Sequence, residues 1–552
     1  MDLQIIEHHP QRVLEALRRG EFDGLEIVGE ADEKEFFERL FREKLLDALA
    51  ATMPTAREKE DVPRWFILAS NLSLKLHQEN SFLAFERVIR CGGLLSALPP
   101  ELAQKRLDPD TKALLLSCQG FNDKNTYARK TPCDQDTLRK ALKDVPAPTW
   151  MDWYNGAVQQ TFQRYGFFDP AGVFVGDGSY LFVPDNEAYE GSCVMWFDEH
   201  NHPVEYETLK PAERKKAHRE RCYKLVTLLH LRGTQPGYVY AAVAVVSGKD
   251  HELPVLDRLI EQFVAVVGCG VMKKLLLDRA FLDGERISHW KRDLGVDVII
   301  PIKKNMDLWT DAWSLAVTEP WKEQPVVPLV PPPPPPQRPE ALVRREAKRQ
   351  STLAQRKAQA PAPATARSLT SVRACAIKDF TSWSSARVPI HAALFREAYS
   401  DGSEEAWSLL TTGELGDGFS LRQDYHRRTD IEERHRQLKC FYDLTDFRSR
   451  SFNAMAAQVV MILLAYTLRQ WQLWQMLREQ EASRTPDTMR WRLALRREYI
   501  VIYHQHAYTQ MPLVSFSREL LQLDEDARRK ALGKVQQLEQ SMLEPVDLWR
   551  PP

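Results

Sequence analysis

The sequence predicts an α/β protein: a mixed sheet flanked by helices, set between mainly helical N-terminal and C-terminal regions. Three observations predict it. Apolar residues recur at helical spacing through most of the first 150 residues. From about Phe167 a run of β-forming segments gives way to alternating helix and strand patterns. That character stops near Gln324 at a proline-rich stretch and returns at EEAWSLLTT. With 552 residues the chain is too long for one core. The boundaries read as 1–150, 151–308, 309–403, 404–475 and 476–552.

In the first region, RVLEALRR, EKEFFERLFREKLLDALAATM, WFILASNLSLKL and SFLAFERVIRCGGLLSAL carry helical stripes, the last interrupted by Gly92 and Gly93. A basic run, DKNTYARK, leads through Thr131–Pro132 to a helix capped by Asp134 or Asp136. The lobe reads either as a plain helical domain or as a module that binds DNA ends. Next, GVFVGDGSYLFV, SCVMWFDEHNHPVEYETL, KLVTLLHLRG and GYVYAAVAVVSG read as strands. LPVLDRLIEQFVAVVG reads as a helix, KKLLLD as a buried strand, LDGERISHWKRDLG as a helix and VDVIIPIKK as another buried strand.

PVVPLVPPPPPPQRPE is a polyproline segment, and the basic Ala/Gln/Pro-rich stretch after it has too few large apolar residues for a core. It is a spacer or a phosphate-binding tether through Arg344, Arg345, Lys348, Arg349, Arg356 and Lys357. Beyond it, FSLRQDYHRRTDIEERHRQLKCFYDL reads as one helix, and SFNAMAAQVVMILLAYTLRQWQLWQMLR as a buried one. Its most apolar part, Met455 to Leu468, contains Gln458 and is shorter than a membrane span. The last seventy or so residues read as helical and polar.

Composition excludes some functions. Lys+Arg is 75 and Asp+Glu 76, so overall charge gives no vote for nucleic acid. Cys91, Cys118, Cys133, Cys193, Cys222, Cys269, Cys375 and Cys440 form no CxxC pair and read as reduced thiols of a cytosolic protein. The first residues have no signal-peptide pattern. There is no GxxxxGK[ST], HExxH or GxSxG, so a nucleotide cofactor and serine hydrolase chemistry are unsupported. Asp198, Glu199, His200 and His202 fall at an expected hairpin turn rather than a metal site.

Acidic and basic residues define a candidate site. In one continuous helix, Tyr425, Arg428, Glu432 and Lys439 would share an arc of roughly 60°. A carboxylate flanked by phosphate-binding groups suits a metal site acting on DNA. Asp177 sits mid-strand, costly unless paired or metal-bound, and the flanking Gly176 and Gly178 leave room for a ligand to approach; a Gly–Asp–Gly turn is the alternative. Asp278 ends a buried strand, where α/β sites open; a helix N-cap is the alternative. Three carboxylates suit Mg²⁺, and two ions about 3.5–4 Å apart would activate a water or 3′-hydroxyl and stabilise the leaving oxygen.

The string Tyr425-x-x-Arg428-x-x-x-Glu432-x-x-x-x-x-x-Lys439 resembles the signature of DDE transposases of the insertion-sequence-four group. LLLDRAFLDGE, with Asp278, Ala280 and Phe281, is similar to that group's second motif, and VDVIIPIKKN to its next strand. The resemblance runs from about Phe167 to Lys439, less securely to about residue 475. It implies an RNase H-like core with an insertion before the last catalytic helix. That insertion is largely β in the family; here much of the interval is proline-rich linker, leaving 368–400 and Trp309–Trp321 to supply strands.

The resemblance further implies Asp177, Asp278 and Glu432 as catalytic metal ligands for two Mg²⁺, with Mn²⁺ as a substitute. Spacing favours Glu432 over Glu433. Tyr425, Arg428 and Lys439 would hold DNA phosphates, with Lys303 and Lys304 as basic groups facing DNA or plain surface. Trp309 and Trp313 would stack a flipped base or belong to the core. The reaction expected is cut-and-paste transposition on double-stranded DNA, at terminal inverted repeats and target, by a homodimer in the bacterial cytoplasm at the nucleoid, with no membrane role. A nuclease lacking strand transfer, or a transposase-derived DNA-binding protein, are the alternatives.

Overall fold

A computed structural model describes residues 2–4, 7–30, 33–85, 88–89, 94, 97–98, 103–107, 114–119, 121, 132–233, 237–325, 367–380, 383–479, 497–505 and 507–543. Residues 326–366, which hold all but the first residue of the polyproline segment and all but the last of the basic linker, lie outside the described residues, as do DKNTYARK and Gly92–Gly93. The chain divides into two compact units, Met1–Leu275 with Thr429–Pro552, and Leu276–Arg428.

The first unit is built on the strand His218–Leu231, whose apolar run is buried on both faces from Arg221 onward. Val173–Val183 pairs antiparallel along its whole edge, from Val173 opposite Leu231 to Val183 opposite Arg221. The other edge is shared by Cys193–Phe197 and Tyr238–Ser247, both antiparallel. Lys274–Leu276 lies on the far side of Val173–Val183. The sheet is thus extended by a strand that arrives through a helix, Glu252–Val267, whose buried Val255, Leu256, Leu259, Ile260, Phe263 and Val264 form one stripe.

Tyr238–Ser247 would leave backbone groups unpaired on its outer edge, and side chains cover them. The Asn155 amide donates to the Val243 carbonyl (2.9 Å) and accepts from its N–H (2.8 Å). Tyr154 donates to the Tyr240 carbonyl, and the Thr467 hydroxyl accepts from Tyr240 N–H. Asn155 sits in a single π turn, Tyr154–Val158, between Ala147–Trp153 and Gln159–Arg164. Thr467 belongs to the 28-residue helix Phe452–Glu479. This helix is long and apolar enough to cross a membrane by composition, but 83% of its most apolar window is buried inside the protein. It is the buried helix the sequence predicts, longer than its apolar segment suggests.

Both terminal regions are helical, and both also contribute strands. Gly24–Glu30 pairs with Arg497–His504, which forms a hairpin with Ala507–Pro512. Glu7–His8 runs parallel to the start of that last strand. Val13, Leu17, Phe22 and Leu25 share a core with Ile500, Ile502, Phe516, Leu523 and Ala527. Helical periodicity alone did not reveal these strands, because Tyr499–Tyr503 is a short β-forming run inside polar flanks. Asp2–Gln4, Leu114–Gln119 and Ala103–Leu107 form a further small sheet.

In the second unit, 368–400 supplies the strands Leu369–Phe380 and Ile390–Tyr399 as expected, whereas Trp309–Trp321 holds most of the helix Asp307–Leu315 and no strand. Lys322–Pro325, Leu369–Phe380, Ile390–Tyr399, Glu404–Thr411 and Asp297–Pro301 pair antiparallel in that order. The strands come from the residues flanking the proline-rich interval, so the linker interrupts the insertion without replacing it.

Two features of the first unit give measurable consequences. Gly178 faces the Glu252 side: a Cβ there would stand 2.5–2.9 Å from the Glu252 carboxylate, which pairs with Lys224 at 3.3 Å. Gly178 therefore makes room for Glu252, not for an approaching ligand as its sequence suggested. Gly178→Ala is expected to cost about 1–3 kcal/mol in urea denaturation, and less in a Glu252→Ala background.

Lys75 is buried, donating to the Glu79 carbonyl and the Asn80 side chain, while Asn80 holds the carbonyls of Asp443 and Asp446. Burial pulls the Lys75 ammonium down to about 7, against the raising effects of Asp443, Glu79 and Asp446. Between pH 7 and about 10.4 the unfolded chain holds more protons at this residue, so its contribution to stability rises with pH. Lys75→Met is expected to flatten that rise when denaturation midpoints are measured from pH 7 to 10.

Candidate active site

Asp177 lies in the middle of Val173–Val183, opposite Thr227, which settles strand over turn. Successive side chains leave a strand on opposite faces, so Asp177 and Ser179 face away from Glu252. They face the helix Thr429–Phe441 instead. His435 on that helix is buried and brings Nδ1 to 3.7 Å from Asp177 Oδ2, with Nε2 3.0 Å from the Thr227 hydroxyl. Burial, aided by the Lys439 charge, pushes the imidazole down to about 3, so it is neutral near pH 7. Lys439 donates to Ser179 Oγ at 3.0 Å. Burial lowers its pKa, while Asp177 and Cys440 act to raise it. The Asp177 carboxylate is only 19% exposed.

Glu432, His435 and Lys439, at i, i+3 and i+7, share one face of this helix, with Glu432 exposed. Glu433 is engaged elsewhere: Arg436 donates to it twice at 2.7 Å and Gln437 at 3.0 Å. The Arg436 and Gln437 hydrogen bonds, opposed by partial burial, hold its carboxyl at about 2.

In the second unit, Asp278 follows the short strand Lys274–Leu276, fixed where Leu277 N–H donates to the Ile299 carbonyl. Its carboxylate accepts from Arg279 N–H at 2.6 Å, capping the turn Arg279–Phe281. The capping role raised by the sequence is therefore observed, and Asp278 is half-buried beside it. Tyr425 packs beside Trp407 (ring centroids 6.2 Å), which packs on Phe395.

The single helix expected from Tyr425 to Lys439 is two helices, Phe419–His426 and Thr429–Phe441. Arg427 and Arg428 N–H groups donate to residues three back, Asp424 and Tyr425, which tightens and ends the first helix. Glu432 and Lys439 therefore lie on one helix, while Tyr425 and Arg428 precede it and share no continuous helix with them.

Lys303 and Lys304 follow Asp297–Pro301, Lys303 half-buried and Lys304 exposed, its ammonium 5.7 Å from the Trp309 ring. Trp309, Trp313 and Trp321 are half-buried, at centroid spacings of 5.4 and 5.7 Å. Arg396 lies over Trp313 and Trp321, and Arg373 over Trp321. Packing thus engages both tryptophans offered as stacking residues.

Sequence reasoning missed His435, Thr227, Ser179, Trp321 and Arg396. Only His435 carried a local signal, its helical offset from Glu432. Asp198–His202 is a turn, with Asp198 accepting from His200 and His202 N–H groups that lower its pKa against the burial that would raise it.

Among the described residues no group of three or more His, Cys, Asp or Glu side chains is arranged to hold a metal ion. Carboxylate oxygens, which Asp177, Asp278 and Glu432 each carry, are the donors that hard Mg²⁺ or Mn²⁺ prefers. The one imidazole beside Asp177 is turned toward a hydroxyl.

The chain matches a family described as a transposase DDE domain over residues 189–468, just over half its length. The match encloses Asp278, Tyr425, Arg428, Glu432 and Lys439 and begins downstream of Asp177. No curated protein matches the chain. The mixed sheet flanked by helices is accordingly an RNase H-like core. Members of this family act on DNA, cutting and transferring strands in transposition, and generally use divalent metal ions. This chain belongs to the DDE transposase family.

Proposed function

We propose that this chain performs cut-and-paste transposition, with Asp177, Asp278 and Glu432 as the acidic triad. The observation that supports it most is the placement of Asp177: a poorly exposed carboxylate on a core strand, facing the helix that carries Glu432 through His435 and Lys439. Engagement of Glu433 with Arg436 and Gln437 favours Glu432 as that helix's ligand. When bound, two Mg²⁺ (or Mn²⁺) would supply charge stabilisation and nucleophile activation.

The chain's residues do the positioning. Water attacks the phosphodiester at the element end and releases a 3′-hydroxyl. That hydroxyl then attacks target DNA or the opposite strand. Tyr425, Arg428 and Lys439 hold phosphates by charge and hydrogen bonds, with Lys439 drawn in beside Asp177 rather than out on the surface. Lys303 and Lys304 add basic groups, and Trp309 or Trp313 would take an unstacked base if a hairpin forms.

The full Tyr–Arg–Glu–Lys spacing supports the insertion-sequence-four group and a bacterial element. Residues 1–150 would bind the terminal inverted repeats, followed by the core in two parts, 151–308 and 404–475, around the insertion 309–403. Pairing two ends calls for a homodimer on double-stranded DNA, with the reaction in the cytoplasm at the nucleoid.

The test is strand cleavage and strand transfer on labelled DNA carrying the flanking element ends, with Mg²⁺ or Mn²⁺. Wild type is expected to nick and join. Asp177→Asn, Asp278→Asn and Glu432→Gln are each expected to lose at least about 10³-fold in rate while still binding DNA. Cleavage without joining would replace the proposal with a nuclease. Binding without cleavage in wild type would leave a transposase-derived DNA-binding protein. An unchanged rate in any one variant would remove that residue from the triad.

A further inference from the structure

We propose that His435 is a positioning residue of this site, pinning the helix of Glu432 to the sheet through the Thr227 hydroxyl. The inference rests on the triad proposed above, and it concerns how the helix is held rather than which groups react.

The contact is placed where axial error matters. Thr227 is the strand partner directly opposite Asp177, and His435 lies one turn beyond Glu432 on the same face. Both are buried, Thr227 fully and His435 at 5% exposed, so neither has water as an alternative partner. The Thr227 hydroxyl and His435 Nε2 stand 3.0 Å apart. The other ring nitrogen, Nδ1, points toward the Asp177 carboxylate at 3.7 Å. A hydroxyl both donates and accepts, so Thr227 pairs with Nε2 whichever ring nitrogen carries the proton. Tyr240 lies nearly parallel to the imidazole (16°, centroids 6.4 Å). One hydrogen bond therefore fixes both the slide of the helix along the sheet and the ring orientation. Loss of a buried hydrogen-bond partner leaves the other polar group unsatisfied, so the helix would shift to relieve it.

Gln and Asn separate the two ring nitrogens. A Gln carbonyl reaches the Nε2 position and accepts from Thr227; an Asn side chain reaches only the Nδ1 position. The full-length protein is compared as wild type, His435→Gln, His435→Asn, Thr227→Val and the double variant His435→Asn/Thr227→Val. Three quantities are read: single-turnover cleavage of labelled end DNA, DNA affinity by mobility shift, and Mn²⁺ uptake by the DNA complex from the free-ion electron paramagnetic resonance signal.

His435→Asn and Thr227→Val are expected to slow cleavage by roughly 10–100-fold and to weaken Mn²⁺ uptake, with DNA affinity within about twofold. His435→Gln is expected to stay within severalfold of wild type. The double variant is expected to be no worse than the poorer single, because both remove the same bond. Wild-type cleavage with Thr227→Val undiminished, or with Gln and Asn equally impaired, overturns the positioning role alone. Absence of cleavage in the wild type overturns the DNA-cutting reading, and this inference with it.

Discussion

A carboxylate in the middle of a buried strand is costly unless charge and hydrogen bonds compensate it, and both faces of the strand that carries Asp177 are lined with polar partners. One face of its strand is given to Glu252 and Lys224, which need the missing side chain of Gly178. The other face meets a helix that contributes a neutral imidazole and a lysine drawn to Ser179. A protonated imidazole at that distance would compete for the carboxylate. Burial prevents it, so the ring beside Asp177 is a neutral imidazole and not a second cation.

The same economy of polar partners holds the sheet that carries Asp177. Its outer strand, Tyr238–Ser247, would be an aggregation edge without Asn155, Tyr154 and Thr467 to complete its hydrogen bonds. These come from the helices just before the first core strand and from the long helix Phe452–Glu479, so flanking helices finish the core's edge. A 28-residue apolar helix is then explained without a membrane: it covers the sheet and supplies the polar atom that strand lacks. Joining of N-terminal and C-terminal strands around Val13, Leu17, Ile500 and Ile502 follows the same pattern.

Much of this was legible in the residues. The core strands announced themselves through unbroken apolar runs such as KLVTLLHL, and the buried helix through its composition. Asp177 stood out because an acid between β-formers has few bland explanations. Less legible were features set by partners far away in sequence. Gly178 reads as room for a ligand until Glu252, seventy-odd residues on, is found filling it. Thr227 is a lone hydroxyl in an apolar strand, and nothing local says that a histidine two hundred residues later will meet it. The terminal strands were hidden for the same reason, since strand pairing between the two ends leaves no periodic mark in either.

The break at Arg427–Arg428 changes how the four-residue signature should be understood. The four residues do not lie on one helix, because the first helix ends at His426 and the next begins at Thr429. What the spacing fixes is two shorter things. The first is Tyr425 and Arg428 at the close of one helix, where Arg428 N–H bonds back to the Tyr425 carbonyl. The second is Glu432 and Lys439 two turns apart on the next, the distance that lets His435 between them reach Thr227. A residue inserted within Thr429–Phe441 would rotate Lys439 by about 100° away from Ser179, while one inserted at the turn would leave that face intact. The constraint on the signature is therefore strongest inside the second helix, where one turn places a carboxylate, the next an imidazole, and the last a lysine against the strand of Asp177.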